Sequence, residues 1–296
     1  MNRWIARGVV ALTVAVSGAG AAFTVLAEMG DRKLARHVDV AVAPVALRSD
    51  AASVERGGYL FRSRGCGDCH GMDGAGAVVV DDGAMHIRSP DITPAPTGVV
   101  AGYTPTDWVR TIRHGVKPDG RPMMIMPSEE YNRLVDADLA AIVAYVRQLA
   151  PAAGARAEVR LPMPVKALYA AGVVRDASEK IDHSLAPAQP VPEGINAAHG
   201  AYVANGCIGC HGARLTGGKI AGAPPDWPAA ARLAPGPGSA LDRYPSAEPF
   251  MAMLKTGKRP DGSSVSKVMP FVSLKEMNEV DVRALYLHLR SLPAGS

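Results

Sequence analysis

Aromatic residues, cysteines and strand-like patterns are all scarce in this 296-residue chain. Phe, Trp and Tyr together make up 5% of the residues, and there are four cysteines. Alternating apolar and polar residues, which indicate half-buried strands, are hard to find, whereas apolar residues recur at helical spacing in several segments. The net charge is only +4, and no basic tract carries interleaved aromatic residues, so the composition indicates no nucleic-acid partner. The sequence therefore predicts an all-α fold.

A long charge-free segment lies near the N-terminus. Arg3 and Arg7 precede the stretch from Gly8 to Ala27, which carries no charge and has about the length of a membrane span. The small residues near its end are also typical of a signal-peptide cleavage site. We therefore expect residues 1–30 to form a signal peptide or a membrane-anchoring hydrophobic helix. Both alternatives export the rest of the chain.

The second half of the chain repeats the first with a nearly constant offset. Cys66 recurs as Cys207, and Arg147 recurs as Arg290. A nearly constant offset over about 90 residues indicates that one small helical domain has been duplicated. The predicted boundaries are an extended arm at 31–52, a first domain at 53–150, an Ala/Pro-rich connection at 151–195 and a second domain at 196–296.

Both copies carry the pattern Cys-x-x-Cys-His. The residues are Cys66, Cys69 and His70 in the first copy and Cys207, Cys210 and His211 in the second. Two thiols on adjacent turns can each add to one vinyl group of the same porphyrin, and the histidine that follows can then bind the iron. The pattern is typical of c-type haem attachment and predicts two covalently bound haem c groups.

Three other uses of paired cysteines fit the sequence less well. A four-thiolate zinc site would join pairs that lie in separate copies of the repeat, and it would leave both histidines unexplained. A redox dithiol is expected in a βαβ context, which the sequence does not show. A disulfide between cysteines on adjacent turns is strained.

Each iron needs a sixth ligand or an open position. Met126 and Met269 are each followed by proline, and they are the methionines whose spacing respects the repeat. We predict that they bind the two irons opposite His70 and His211, which is the ligation that raises a haem's reduction potential. The other nearby methionines, Met123, Met124 and Met277, are expected to pack around the haem or lie on the surface. His86 and His114 are the residues that could replace methionine in the first copy.

These residues resemble class I cytochrome c domains in tandem. The nearest family is that of the membrane-bound multihaem cytochrome c subunits of bacterial periplasmic dehydrogenases, of the alcohol-, gluconate-, sorbitol- or aldehyde-oxidising types. The segments PDITPAPTG, WVRTIRHGVKPDGRPM and LPMP carry this closer resemblance. The first is similar to an Asn-Ile-Thr-Pro loop of that family, with Asp91 where asparagine is usual. The resemblance covers Ser53 to Leu292.

The resemblance implies that the first and last helices of each domain cross near the haem, with a glycine allowing close approach. The implied contacts are Gly57 or Gly58 with Ala144 and Tyr145, and Gly200 with Tyr286 and Leu287.

The resemblance also implies a role. Such a subunit takes electrons from a periplasmic dehydrogenase and passes them towards a quinone, a terminal oxidase or another cytochrome. It would work on the periplasmic side of the inner membrane, attached through its N-terminal segment or soluble in the periplasm. We therefore expect an electron-transfer protein rather than an enzyme.

Two alternatives remain. The first is a dihaem enzyme, either a peroxidase or a thiosulfate-oxidising dehydrogenase. The repeated Met-Pro argues against the open iron that a peroxidase needs, and no spare cysteine is present to act as the ligand usual in thiosulfate enzymes. The second is a haem-bearing domain that only docks a partner.

Overall fold

Helices make up most of the regular structure. The computed structural model describes residues 3–220, 223–224 and 226–294. Its α-helices are α1 (Arg3–Leu34), α2 (Ala51–Ser63), α3 (Cys66–His70), α4 (Pro105–His114), α5 (Ser128–Tyr131), α6 (Asp136–Val146), α7 (Met163–Ala170), α8 (Ala197–Val203), α9 (Ile208–His211), α10 (Ala247–Thr256), α11 (Phe271–Leu274) and α12 (Glu279–Ser291). Short 3₁₀ turns lie at Ser178–Lys180, Ala204–Cys207 and Ala240–Arg243.

Local sequence signals explain where these helices begin and end. Helix α4 follows Thr104, which forms a reciprocal capping box with Asp107, and it ends at Gly115 in the left-handed conformation. Helix α10 ends in the same way at Gly257. The side chain of Asn278 accepts the Asp281 N–H at the start of α12.

A small antiparallel sheet accompanies the predicted helices, so the fold is mostly helical rather than helical throughout. Its strands are β1 (Val78–Asp81), β2 (His86–Arg88) and β3 (Glu158–Arg160), in the order β1-β2-β3. The β-branched run Val78–Val80 favours a strand, and the turn that follows it contains Gly83 in the left-handed conformation. The third strand comes from the connection after α6, a distant pairing that periodicity does not reveal.

Helix α1 continues to Leu34, past the predicted start of the extended arm, because its C-terminal turn docks on α7. The Lys33 ammonium donates to the Tyr169 carbonyl at 2.9 Å, and Arg36 pairs with the fully buried Asp176 at 2.6 Å. Residues 36–50 contain no helix or strand. Within the part of the chain that the structure describes, no helix combines the length and the apolar character needed to cross a membrane.

In the first half of the chain, α2 and α6 cross at a glycine. A Cβ atom at Gly57 would overlap the carbonyl oxygen of Ala141 and lie 2.9 Å from the Tyr145 Cβ. The implied contact of Gly57 with Tyr145 is therefore confirmed. The backbone partner is Ala141 rather than Ala144, because residues 141 and 145 are one turn apart and share a helix face.

The second half repeats this crossing between α8 and α12. A Cβ at Gly200 would overlap the carbonyl oxygen of Ala284 and lie 2.7 Å from the His288 Cβ. The implied partners, Tyr286 and Leu287, are therefore wrong. All three contacting positions are the repeat equivalents of those in the first half.

Each half has its own apolar core. The first core gathers buried residues of α2, α4 and α6, including Leu60, Phe61, Trp108, Leu139 and Val143. The second gathers residues of α8, α10 and α12, including Val203, Phe250, Leu254, Val282 and Leu289.

The two halves meet through reciprocal tyrosine–aspartate contacts. The Tyr59 hydroxyl donates to Asp281 at 2.6 Å, and the Tyr202 hydroxyl donates to Asp138 at 2.7 Å. Each hydroxyl also accepts the backbone N–H of the residue that precedes the partner helix, at 3.2 and 3.3 Å. The two tyrosines are repeat equivalents, and so are the two aspartates, so the same patch of each half contacts its equivalent.

Candidate haem-binding site

The first Cys-x-x-Cys-His motif forms the short helix α3 between two glycines of positive φ, Gly65 (φ 80°) and Gly71 (φ 75°). Helical spacing places Cys66 and Cys69 on one face of this turn. In the second half, α9 ends at Gly212 with φ 77°. Burial raises the pKa of Cys66, and likewise that of Cys207, to about 12, so both groups are neutral thiols near pH 7.

The arrangement of the thiols does not favour a zinc site. Within the described residues, Glu193, His199 and Asp281 are the one group of three or more side chains that could share a metal ion. No cysteine belongs to that group. A four-thiolate zinc site needs four thiols within reach of one ion, and in the described part of the chain the cysteines form no such group.

Both motif histidines present the same free nitrogen. His70 Nδ1 lies 3.2 Å from the Pro90 carbonyl oxygen, and His211 Nδ1 lies 2.8 Å from that of Ala231. Because a carbonyl only accepts, each Nδ1 carries the proton and each Nε2 keeps its lone pair. Burial lowers the pKa of both imidazoles, which keeps them neutral. This tautomer is the one that an axial haem ligand needs.

The first motif opens onto a deep apolar cleft. Cys66, Cys69, His70 and Met126 all line it, so the structure brings the four predicted haem-binding residues of this half together. The empty space of the cleft, counted out into open solvent, is about 1270 Å³. Its walls are apolar residues of α2, α4, α6 and the small sheet, including Phe61, Val79, Trp108, Ile142 and Val159. The two cysteines, the histidine, the methionine and the apolar walls of this cleft fit a haem.

The two Met-Pro segments have the same backbone conformation. Pro127 has φ −79° and ψ 58°, and Pro270 has φ −79° and ψ 69°, and each precedes a short helix, α5 or α11. Met126 packs half-buried against the first core, and Met269 packs half-buried against the second. Cys207 packs against the second core as well.

The other methionines have packing positions. Met124 is buried with Ile87 and Tyr169 in a third apolar cluster, and Met277 is buried in the second core. Met123 lines the cleft beside Met126. Met124 and Met277 are therefore packing residues, as expected.

The two histidines considered as replacements for Met126 lie outside the cleft lining. His114 Nδ1 is 3.0 Å from His183 Nδ1, and the rings stack. Burial, together with His183, lowers the pKa of His114 to about 4. His86 lies 3.6 Å from carboxylate oxygens of both Asp81 and Glu158.

Sequence reasoning missed the residues that orient the histidine. Asp91 is 1% exposed, and its carboxylate accepts the N–H groups of Thr93 at 2.7 Å and Gly154 at 3.2 Å. These bonds fix the loop that carries the Pro90 carbonyl to His70. One feature of the sequence could have identified this role. Asp91 stands where the similar loop of the family has asparagine, and a carboxylate can accept both hydrogen bonds.

Comparison with known proteins supports this site. Residues 52–146 match the family described as cytochrome c oxidase, cbb3-type, subunit III. This match spans α2, the motif, Met126 and α6. Residues 52–146 form a cytochrome c family domain.

Curated relatives of this chain are named as cytochrome subunits of dehydrogenases. The fructose dehydrogenase cytochrome subunit of Gluconobacter japonicus is 27% identical over 275 residues, which is 85% of this chain and 55% of the relative. The alcohol dehydrogenase (quinone) cytochrome c subunit of Gluconobacter oxydans is 29% identical, with 83% and 56% covered. The gluconate 2-dehydrogenase cytochrome c subunit of Pantoea cypripedii is 27% identical, with 83% and 61% covered.

The matched part of the chain therefore spans between 55% and 61% of the length of these three relatives. Their names identify cytochrome subunits of dehydrogenases. The resemblance to cytochrome c subunits of dehydrogenases is thereby confirmed.

Proposed function

We propose that this chain is a dihaem c-type cytochrome that carries electrons from a dehydrogenase partner towards a quinone, an oxidase or another cytochrome. One observation carries the proposal: in both halves, a Cys-x-x-Cys-His motif holds its histidine by Nδ1 to a backbone carbonyl, with Nε2 free. The matched Met-Pro conformations support a second axial ligand in each half.

The roles of the residues follow from their chemistry. Cys66 and Cys69 would tether one haem through thioethers, and Cys207 and Cys210 would tether the other. His70 and His211 would bind the irons through Nε2, and Met126 and Met269 would do so through sulfur. When bound, each haem supplies one-electron redox chemistry. The protein holds the ligands in place and keeps water from the apolar cleft.

The contact between the halves favours direct electron exchange between the two haems. Helix α3 lies against α11, where Ser273 Oγ donates to Asp68 at 2.8 Å. Helix α9 lies against α5, where the Glu130 carboxylate abuts the Gly209 backbone. Each attachment motif thus contacts the segment that follows the Met-Pro of the other half. We infer that an electron can pass between the haems within one chain.

The relatives' names and the N-terminal sequence support the rest of the proposal. Relatives named as dehydrogenase subunits support a dehydrogenase as the donor, and the word quinone in one name supports a quinone acceptor. The charge-free segment after Arg7 supports the periplasmic side of the inner membrane as the location. Recovery of the haem-loaded full chain from the cytoplasm would contradict that location.

The haem content tests the proposal directly. A pyridine haemochrome assay of the purified, matured full chain is expected to give two haems per polypeptide. The double variant Cys66→Ser/Cys69→Ser is expected to keep one haem, and so is Cys207→Ser/Cys210→Ser. One haem in the wild type, or two in either double variant, would contradict the dihaem proposal.

Replacing an axial methionine tests the sixth ligand. Met126→Ala or Met269→Ala is expected to convert one of the two haems from low-spin to high-spin, because the iron loses its thioether ligand. Electron paramagnetic resonance and absorption spectra measure the change. Met123→Ala and Met277→Ala are matched controls, and both are expected to leave two low-spin haems. If a control changes the spin state and its partner variant does not, the ligand is misassigned.

A further inference from the structure

The cleft of the first half contains two cationic side chains and no acidic one. Arg88 in β2 and Lys117 in the turn after α4 both line it. No aspartate or glutamate is among its lining residues, all of which belong to the described part of the chain. The rest of the lining is largely apolar, so two positive charges face a cavity of low polarity.

Neither cation has an ion-pair partner among the described residues. The carboxylates nearest in sequence are engaged elsewhere: Asp119 pairs with Arg121 at 2.6 Å, and Glu158 pairs with Arg160. Both Arg88 and Lys117 are half-buried. Burial, and next the charge of Arg121, lower the pKa of Lys117. Both cations are partly removed from water, and only the charge of Asp119 partly offsets that of Lys117, so an anion that joins them in the cleft is stabilised.

We propose that Arg88 and Lys117 bind the two propionates of the first haem, an inference that rests on the proposed haem in this half. A haem carries two propionate carboxylates, and two cations neutralise the charge of these two groups. Lys117 lies on the same hairpin-like loop as Met126, where its N–H donates to the Arg121 carbonyl at 2.8 Å. One loop would therefore supply both an axial ligand and a propionate partner.

The second half does not repeat this pair. Arg259 takes the place of Lys117, but its guanidinium donates to Ser263 Oγ at 3.1 Å and to the Ser264 carbonyl. The place of Arg88, counted with the same offset that relates Pro90 to Ala231, is occupied by Ala229. The proposal therefore predicts that the two haems differ in the charge around their propionates.

Reduction potentials test the proposal in the haem-loaded full chain. In Arg88→Met, in Lys117→Met and in the double variant, one of the two redox waves is expected to shift to lower potential, because a lost cation disfavours the reduced, less positive haem. The other wave is expected to stay in place. The shifted wave should also gain a pH dependence between about pH 5 and 8, since an unpaired, partly buried carboxyl titrates above its usual pKa.

Four controls separate the competing explanations. Arg88→Lys and Lys117→Arg keep the charge and are expected to retain the wild-type potentials. Arg147→Met removes an exposed cation outside the cleft lining and is expected to move neither wave appreciably. Titration with inorganic phosphate is expected to leave the wild-type potentials unchanged.

The proposal is overturned if the double variant has wild-type potentials and wild-type pH dependence. It is also overturned if Arg147→Met causes an equal shift. A phosphate-induced shift in the wild type but not in the variants would overturn it as well, because it would indicate a site for a free anion. The haemochrome assay distinguishes these outcomes from failure of the proposed function. Two haems per chain in every variant would leave the dihaem assignment intact.

Discussion

Gly57→Ala and Gly200→Ala are each expected to remove most of the folded, haem-loaded protein. The added Cβ would overlap the carbonyl oxygen of Ala141 or Ala284, which is backbone and cannot rotate away. The helix pair would have to separate, which opens the core beneath it. Overpacking usually costs about 1–3 kcal/mol, and an obstacle formed by backbone atoms places these variants at or above the upper end of that range.

Guanidinium unfolding of each variant measures this loss, and haemochrome yield per litre of culture gives a second readout. Gly102→Ala is the matched control, because no atom lies within 4 Å of its added Cβ. It is expected to change the free energy of unfolding by less than about 0.5 kcal/mol. Wild-type stability in Gly57→Ala and Gly200→Ala would show that the helices do not cross as closely as described.

The features predicted from sequence were those encoded by short-range pattern. The motif cysteines and histidines stand next to one another, and the constant offset places Met126 opposite Met269 in any alignment of the halves. The helical character of the chain followed from periodicity for the same reason. The cytochrome c resemblance rested on these local segments, and the family match at residues 52–146 supports it.

The features that sequence did not predict depend on distant pairing. Strand β3 joins β2 although α4, α5 and α6 lie between them in the chain, and Val159 reaches the cleft through it. The crossing partner Ala141 was misassigned to Ala144 because the close approach depends on which face of α6 meets Gly57. The reciprocal contact between the halves was also missed, since a tyrosine such as Tyr59 carries no local sign of its partner.

The second large effect concerns a buried carboxylate at the contact between the halves. Asp281 is fully buried and accepts hydrogen bonds from Tyr59 at 2.6 Å, Arg64 at 2.5 Å and His199 at 2.7 Å. Asp281→Ala would leave the Arg64 guanidinium, whose side chain is 9% exposed, without its counter-charge. Breaking a buried pair in this way costs about 3–5 kcal/mol, and we expect a loss of stability of that size in guanidinium unfolding.

The duplication provides the matched control for this variant. Asp138 is the equivalent of Asp281, and it pairs with Arg56, whose side chain is 26% exposed and also pairs with Glu193 at 3.0 Å. Asp138→Ala therefore leaves a cation that has water and a second carboxylate. A loss of only about 1–3 kcal/mol is expected. Equal losses in the two variants would contradict the view that burial of Arg64 sets the cost.

Acid titration separates the charge of Asp281 from its packing. Burial alone would raise the pKa of this carboxyl, but the charge of Arg64 and the hydrogen bonds from Tyr59, Arg64 and His199 lower it below the ordinary value of 3.8. Because the folded-state pKa is depressed, the carboxylate stabilises the fold fully above pH 4 and loses that contribution as the pH falls through the folded-state pKa. The stability of Asp281→Ala should therefore fall less steeply below pH 4 than that of the wild type. Asp281→Asn should behave in the same way while keeping the side-chain volume, and an unchanged acid profile in both variants would mean that other carboxylates govern unfolding by acid.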